Sequence, residues 1–156
     1  MIASELHDLA RAVATPSGAP ATYLDEREAG PERPVACEAD VRAIEAALAR
    51  GETGFAAVAA GETGVEIYLS CALAARALRG RVPIRVRWTE SFGVKAAALA
   101  LVFGADELVG PLAGESLAKK IAIIGGPPED PARPTRAHVE ALIRAAGRTP
   151  RRGGRS

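Results

Sequence analysis

The sequence predicts an α/β fold, either a partial (β/α) barrel or an open parallel sheet flanked by helices. The prediction depends most on residues 82–112, which contain a strand, a helix and a second strand with turn residues between them. A crossover helix with short connections places its two strands side by side and parallel. The 156 residues and the few strand candidates are too little for a closed barrel, which needs eight strands and roughly 250 residues.

The first strand of this unit has two chemically different faces. Ile84, Val86 and Trp88 alternate with Arg85 and Arg87, which is the period of two that a strand requires. One face is therefore expected to pack on a core, and the other carries positive charge.

The helix and second strand of the unit follow from local signals. The run KAAALALVF consists of strong helix formers, Thr89 or Ser91 is the candidate cap, and Gly104 is the candidate stop. Residues 107–110 then form the second strand, parallel to the first.

The remaining elements are predicted from the same kinds of signal. Apolar residues at helical spacing predict helices over residues 4–13, 38–50, 66–79 and 136–146. Thr63 and Glu66 form a capping box, and Thr135 caps the last helix. FAAVAA is interpreted as a buried strand, GESLAKK as helical, IAII as the end of that helix or a strand, and GGPPEDPARP as a loop.

These elements divide the chain into four parts. Residues 1–14 are expected to form an N-terminal helix, and residues 15–36 a linker or extended arm rich in Pro and Gly, with a short strand at ATYL. Residues 37–150 form the α/β domain, and residues 151–156 a basic, solvated tail.

Composition excludes several classes of function. Hydrophobic residues make up 48% of the chain, enough for a real core, while only 4% are aromatic, which argues against a nucleic-acid stacking platform. A net charge of +1 provides no field that would attract nucleic acid or an anionic membrane. The two cysteines, Cys37 and Cys71, match no metal or disulfide spacing, so no metal or cofactor is expected and the predicted location is the reducing cytoplasm. Cys71 is predicted to lie in a helix core.

GETG occurs twice, at residues 51–54 and 61–64. Either the repeat reflects two loops of the same kind, each with a stop glycine followed by a capping Thr, or two glycine-rich turns frame a phosphate or carboxylate at helix N-termini. No lysine follows either turn, which excludes a phosphate-binding loop of the nucleoside-triphosphatase kind.

Candidate site residues come from an analogy with (β/α) barrels, in which function gathers at the C-terminal ends of strands. The candidates for ligand binding are Arg85, Arg87, Trp88, Thr89, Glu90 and Gly110. The two arginines suit a carboxylate or phosphate ligand, although they could instead face solvent or pair with Glu66 or Asp106. Asp106 and Glu107 are interpreted as a cap and a surface charge.

Four segments of the second half carry a resemblance to a known family. Residues 72–79, 82–88, 103–111 and 142–150, among them FGADELVGP and LIRAAGRTP, are similar to the closing strands and helices of the radical S-adenosylmethionine barrels of the futalosine route to menaquinone. Those enzymes are aminofutalosine synthase and dehypoxanthine futalosine cyclase. The family holds a four-iron cluster on a C-x-x-x-C-x-x-C motif, which this chain lacks. It is therefore not expected to catalyse radical chemistry alone.

The resemblance implies a cluster-free relative that acts as an accessory or small-ligand-binding subunit in menaquinone biosynthesis. Two alternatives remain open, an independent small α/β enzyme or binding module and a structural homo-oligomer. Because too few strands are present to close a barrel, the expected partners are a second copy of the chain or a protein that completes the sheet, together with a small anionic ligand.

Overall fold

The computed structural model describes residues 3–90, 93–113 and 133–154. Within these ranges the strands are β1 (Pro20–Asp25), β2 (Glu32–Val35), β3 (Ala56–Ala59), β4 (Ile84–Arg87), β5 (Glu107–Gly110) and β6 (Thr149–Arg152). The α-helices are α1 (Ala3–Ala12), α2 (Glu38–Ala49), α3 (Gly64–Leu78), α4 (Val94–Leu99) and α5 (Arg136–Ala145). Short 3-10 turns cover Glu26–Glu28 and Ala100–Phe103. No described helix has the length and apolar character needed to cross a bilayer.

All six strands belong to one parallel sheet in the order β2-β3-β4-β5-β1-β6. The predicted α/β class with an open parallel sheet is confirmed. So is the predicted pairing inside the central unit, where β4 lies beside β5 with Arg85 opposite Glu107.

The helices pack on one face of the sheet, which we call the helix face. Strand side chains on this face alternate with those on the other, and the pairing register joins them across the sheet. They form two apolar clusters with buried residues of α2, α3, α4 and α5. Leu9 of α1 and Val13, which follows α1, pack on α3. The strand members of these clusters are Ala21, Tyr23, Val35, Ala57, Ala59, Ile84, Val86, Trp88 and Leu108.

The opposite face, called here the inner face, is covered by the chain itself. Residues 26–31 connect β1 to β2, although three strands lie between these two. In a flat sheet the connection would cross about 19 Å and also return to the opposite sheet edge, which exceeds what six residues containing a 3-10 turn span comfortably. The sheet must therefore curl between β1 and β2. The crossing segment meets the inner face at Gly30, whose carbonyl accepts from Arg85 at 3.4 Å.

Several local predictions are confirmed at the level of single hydrogen bonds. Thr63 accepts from Glu66 N while Glu66 accepts from Thr63 N, so the capping box forms as predicted. Thr135 accepts from His138 N and caps α5. Gly104 ends the central helical stretch with a φ of 102°, a conformation that favours glycine. Cys71 is fully buried in the core.

The cap of the central helix differs from the prediction. Its N-cap is Gly93, without a side-chain bond, and Thr89 lies in a turn four residues earlier. Ser91 lies outside the described residues, as do the GESLAKK and IAII segments and most of the predicted GGPPEDPARP loop. The extended turn after β4 moves the helix start beyond the range in which Thr89 could cap it.

The linker prediction for residues 15–36 is wrong, because the stretch contributes two strands of the sheet. The short strand predicted at ATYL is β1, which lies between β5 and β6. β2 was not predicted. Its sequence ERPV lacks alternation, and it forms because β3 offers it a backbone ladder.

The predicted tail likewise begins inside the sheet, since Arg151 and Arg152 end β6. β6 pairs with β1 through the register Thr22 to Arg151. The two outer strands, β2 and β6, each contain a proline, Pro34 and Pro150. Proline on an outer strand opposes the addition of a further strand.

The two GETG turns lie at opposite ends of β3, so they do not frame one ligand. The first ends α2, with Gly51 at a φ of 88°. The second begins α3, and the backbone N–H groups of Glu62 and Thr63 are already bound by the carboxylate of Glu66. Both positions therefore fit the interpretation of GETG as two loops of the same kind.

Candidate functional site: an arginine-lined cleft

The predicted ligand-binding arginines lie on the inner face and are paired with carboxylates. Arg85 contacts Glu107 at 2.5 Å and Glu32 at 2.9 Å, and Arg87 contacts Glu32 at 2.7 Å. We call these four residues the inner-face network. Arg85 is only 5% exposed, so its charge is held inside the protein by these two partners.

The ionisation of the network follows from its geometry. Burial acts to raise the pKa of Glu32, but hydrogen bonds from Arg87 and Arg85 outweigh it and hold the pKa below its ordinary value. The hydrogen bond from Glu32 in turn raises the pKa of Arg87. Two guanidinium groups face two carboxyl groups in this network, so it offers an incoming anion little net charge.

Neither partner anticipated for these arginines is the observed one. Glu66 caps α3, and Asp106 accepts a hydrogen bond from the backbone N–H of Ile84 at 2.8 Å. Glu107 is buried and paired with Arg85, which corrects its interpretation as a surface charge.

The other predicted site residues do not converge with the arginines. Trp88 is fully buried on the helix face, and its indole lies so close to Gly110 that a Cβ at that position would collide with the ring. Gly110 is therefore needed for packing. Thr89 and Glu90 are exposed in the turn after β4.

A cleft of about 440 Å³ lies at the opposite edge of the sheet, where β1, β4, β5 and β6 begin. We call it the edge cleft. Its charged lining comprises four arginines and two acids. These are Arg79, Arg81, Arg148, Arg151, Asp106 and Glu107.

Two of the four arginines bind backbone carbonyls. Arg148, which is buried, donates to Ala19 O at 3.0 Å, Pro20 O at 2.8 Å and Ala105 O at 3.2 Å. Arg79 donates to the carbonyl of Val13. Carbonyl oxygens satisfy the donors without cancelling the charge, so both guanidinium groups keep a full positive charge beside the cleft.

The other two arginines, Arg81 and Arg151, are exposed. Arg151 donates to Thr22 Oγ1 at 2.9 and 3.1 Å, again a neutral acceptor. Arg81 pairs with Glu45 at 3.4 Å in an exposed contact, which contributes little. Both side chains therefore retain donors that can turn towards a ligand in the cleft.

Asp106 is the acid of the cleft that has no hydrogen-bonded arginine among the described residues. Its Oδ1 accepts from Ile84 N, and its charged neighbours are Glu107, Arg148 and Arg79. Burial raises the pKa of Asp106 to about 6, against the opposing effect of the hydrogen bond and the two arginines. Glu107 is neutralised by Arg85, so positive charge predominates in the cleft.

A sequence signal for this cleft was present but was not used. Arg79-Gly80-Arg81 follows the end of α3, and Gly147-Arg148 follows the end of α5. In a parallel α/β sheet every helix end leads back to the edge where strands begin, so arginines beside these two stop glycines must meet at one edge.

Comparisons with known proteins return nothing for this chain, whether it is scanned against models of protein families, curated proteins or solved structures. Within the described ranges, no three His, Cys, Asp or Glu side chains are grouped so as to hold a metal ion.

Proposed function

We propose that this protein is a small-ligand-binding module that takes an anionic molecule, a carboxylate or a phosphate, in the edge cleft. The observation that carries the proposal is the excess of arginine over unpaired acid in a space of about 440 Å³. That volume lies in the range that small-molecule ligands occupy. Arginine donors suit the planar oxygens of carboxylate and phosphate groups.

The four arginines support binding in two ways. Arg79 and Arg148 are held on backbone carbonyls, so they supply positive charge without needing to move. Arg81 and Arg151 are exposed and make few contacts within the protein, so they supply the donors that contact the ligand. A hydrogen bond to a charged group contributes on the order of 1.5–3 kcal/mol, so the loss of either contact should be measurable.

The test is calorimetric titration of the full chain with inorganic phosphate and, separately, with succinate at neutral pH. Arg81→Gln and Arg151→Gln should each weaken binding by roughly tenfold. Arg42→Gln is the matched control, because Arg42 is an exposed arginine on α2 paired only loosely with Glu38 at 3.7 Å. Its affinity should match that of the wild type. Absence of saturable binding of both probes, or an equal loss in the control, would overturn the proposal.

We propose further that the module is a cluster-free relative of the futalosine-route barrels it resembles and serves as an accessory subunit in menaquinone biosynthesis. In a (β/α) barrel the helices that connect the strands all lie on one face of a parallel sheet. The packing of α2, α3, α4 and α5 follows this arrangement and supports the second proposal. Co-purification from the native host should recover an enzyme of that route. Absorbance near about 400 nm after anaerobic reconstitution with iron and sulfide would contradict a cluster-free protein.

The predicted homodimer, or complex with a partner that completes the sheet, stays a prediction. The prolines of β2 and β6 favour contact through the helices over extension of the sheet. Leu99 and Val102 are exposed apolar residues of the helical layer. Light scattering at micromolar concentration checks this prediction, and a monomer that is stable to dilution would contradict it.

A further inference from the structure

We propose that Asp106 is a ligand-contacting residue of the edge cleft, which takes up a proton when an anion binds and donates a hydrogen bond to it from Oδ2. The inference rests on the proposed anion binding and deepens it. It identifies one hydrogen-bond donor of the cleft that is not an arginine. It also predicts that the protein takes up a proton together with the anion.

The geometry of Asp106 makes this role available. Oδ1 is anchored on Ile84 N at 2.8 Å, and the backbone of Asp106 donates to Ile84 O and accepts from Thr22 N at 2.9 Å each. The two backbone bonds therefore hold the main chain of Asp106 at the wall of the cleft, and the bond to Oδ1 orients its carboxyl group. Among the described residues no fully buried side-chain oxygen lacks a partner, so Oδ2, for which no protein hydrogen bond is found there, keeps some exposure to solvent, and Asp106 lines the cleft.

The charges around Asp106 explain why an anion would favour protonation. The pKa of Asp106 is already raised without a ligand, first by burial and further by the neighbouring carboxyl group of Glu107. An anion in the cleft would add a second negative charge near Oδ2, which the ionised carboxylate repels and the neutral carboxyl group accepts as a hydrogen-bond partner. The titratable and charged groups that face it from the surrounding elements are Cys71, Arg79, Arg81, Glu107, Arg148 and Arg151.

The coupling is reciprocal by thermodynamic linkage. If an anion raises the proton affinity of Asp106, then a proton on Asp106 raises the affinity for the anion by the same factor. The proton comes from solvent and remains on Oδ2 while the ligand is bound. Affinity should therefore fall as the pH rises past 6.

The experiment uses sulfate as the probe, because its charge is constant over the pH range of interest, whereas phosphate itself titrates. Titration of the full chain at pH 5.5 and 7.5, in buffers with different ionisation enthalpies, measures both affinity and protons taken up. We expect affinity at least about fivefold weaker at pH 7.5 and proton uptake of up to one per sulfate.

Asp106→Asn keeps an oxygen for Ile84 N and a donor for the anion but cannot titrate. It should bind sulfate equally at both pH values, without proton uptake, and more tightly than the wild type at pH 7.5. His7→Gln is the matched control, since His7 is exposed on α1 and does not line the edge cleft. That variant should keep both the pH dependence and the proton uptake.

A measurement on the wild type does not depend on whether a variant folds. The carbon resonance of the Asp106 carboxyl group can be followed by NMR as the pH is changed. The pH at the midpoint of this titration should rise when sulfate is added. Sulfate binding without proton uptake, or uptake that persists in Asp106→Asn, would overturn this inference and leave anion binding intact. Absence of sulfate binding at both pH values would overturn anion binding itself.

Discussion

The two groups of arginines in this protein differ in what their donors contact. On the inner face, Arg85 and Arg87 contact the carboxylates of Glu32 and Glu107, so charge is matched by charge. In the edge cleft, Arg79, Arg148 and Arg151 donate to carbonyl and hydroxyl oxygens. These neutral acceptors satisfy the hydrogen-bond donors but do not neutralise the positive charge.

The difference separates a structural role from a binding role. A buried arginine with ionised partners is difficult to remove, because the loss of one member leaves another charge uncompensated. An arginine that donates to a neutral acceptor beside an open cleft still has a positive charge that can attract an anionic ligand. The same residue type therefore stabilises the fold at one place and is available for recognition at another.

The largest effect is expected when the inner-face network is broken. Glu32→Gln removes the carboxylate that Arg85 and Arg87 share, so the free energy of unfolding should fall by about 3 kcal/mol. Urea denaturation measures the change. Glu38→Gln, which removes an exposed i,i+4 partner of Arg42, is the control and should change stability by less than about 0.5 kcal/mol. Equal effects of the two substitutions would show that the inner-face pairs act as surface pairs.

The next effect concerns Asp106 of the edge cleft, where a substitution is expected to raise the free energy of unfolding. The pKa of Asp106 is raised from 3.8 to about 6. Between these values the folded state binds more protons than the unfolded state, so this residue makes stability fall as the pH rises from 4 to 6. Above pH 6 the full cost of a buried carboxylate is present.

Asp106→Asn removes that cost. The variant should be more stable than the wild type at pH 7.5 by on the order of 2 kcal/mol, and the two proteins should approach each other near pH 4. Thermal unfolding across this range measures the difference. A constant gap at every pH would mean that the substitution acts through packing and not through ionisation.

The smallest effects come from a matched pair of arginines. Arg87→Gln should lower the free energy of unfolding by about 1 kcal/mol, because the side chain is partly buried and bonded to Glu32. Arg81→Gln breaks only the exposed contact with Glu45 and should cost less than about 0.5 kcal/mol, while it weakens anion binding. If Arg81→Gln proves the more destabilising and leaves binding unchanged, the division between the two groups of arginines is wrong.

The local part of the fold could be predicted because its signals lie within a few residues of one another. The Thr63 and Glu66 capping box, the Thr135 cap and the Gly104 stop each depend on hydrogen bonds or backbone angles inside one turn. The parallel pairing of β4 and β5 followed from the short connections of one crossover unit. These are the predictions that the structure confirms.

The site was harder to predict because it depends on residues far apart in the chain. Arg148 contacts carbonyls more than 120 residues away, at Ala19 and Pro20, and its neighbour Asp106 directly precedes β5. β2 and β6 have sequences without clear alternation, so they become strands only where a neighbouring strand supplies hydrogen bonds. No local pattern carries that information.

By itself, the sequence determined the α/β class, the helix ends at Thr63, Gly104 and Thr135, and the burial of Cys71, since each depends on periodicity or on bonds within one turn. Only the tertiary structure decided that β1 lies between β5 and β6, that the crossing segment covers the inner face, and which arginines are neutralised. The physical reason is that a guanidinium group takes its role from the oxygens that the fold brings to it. Those oxygens come from distant parts of the chain.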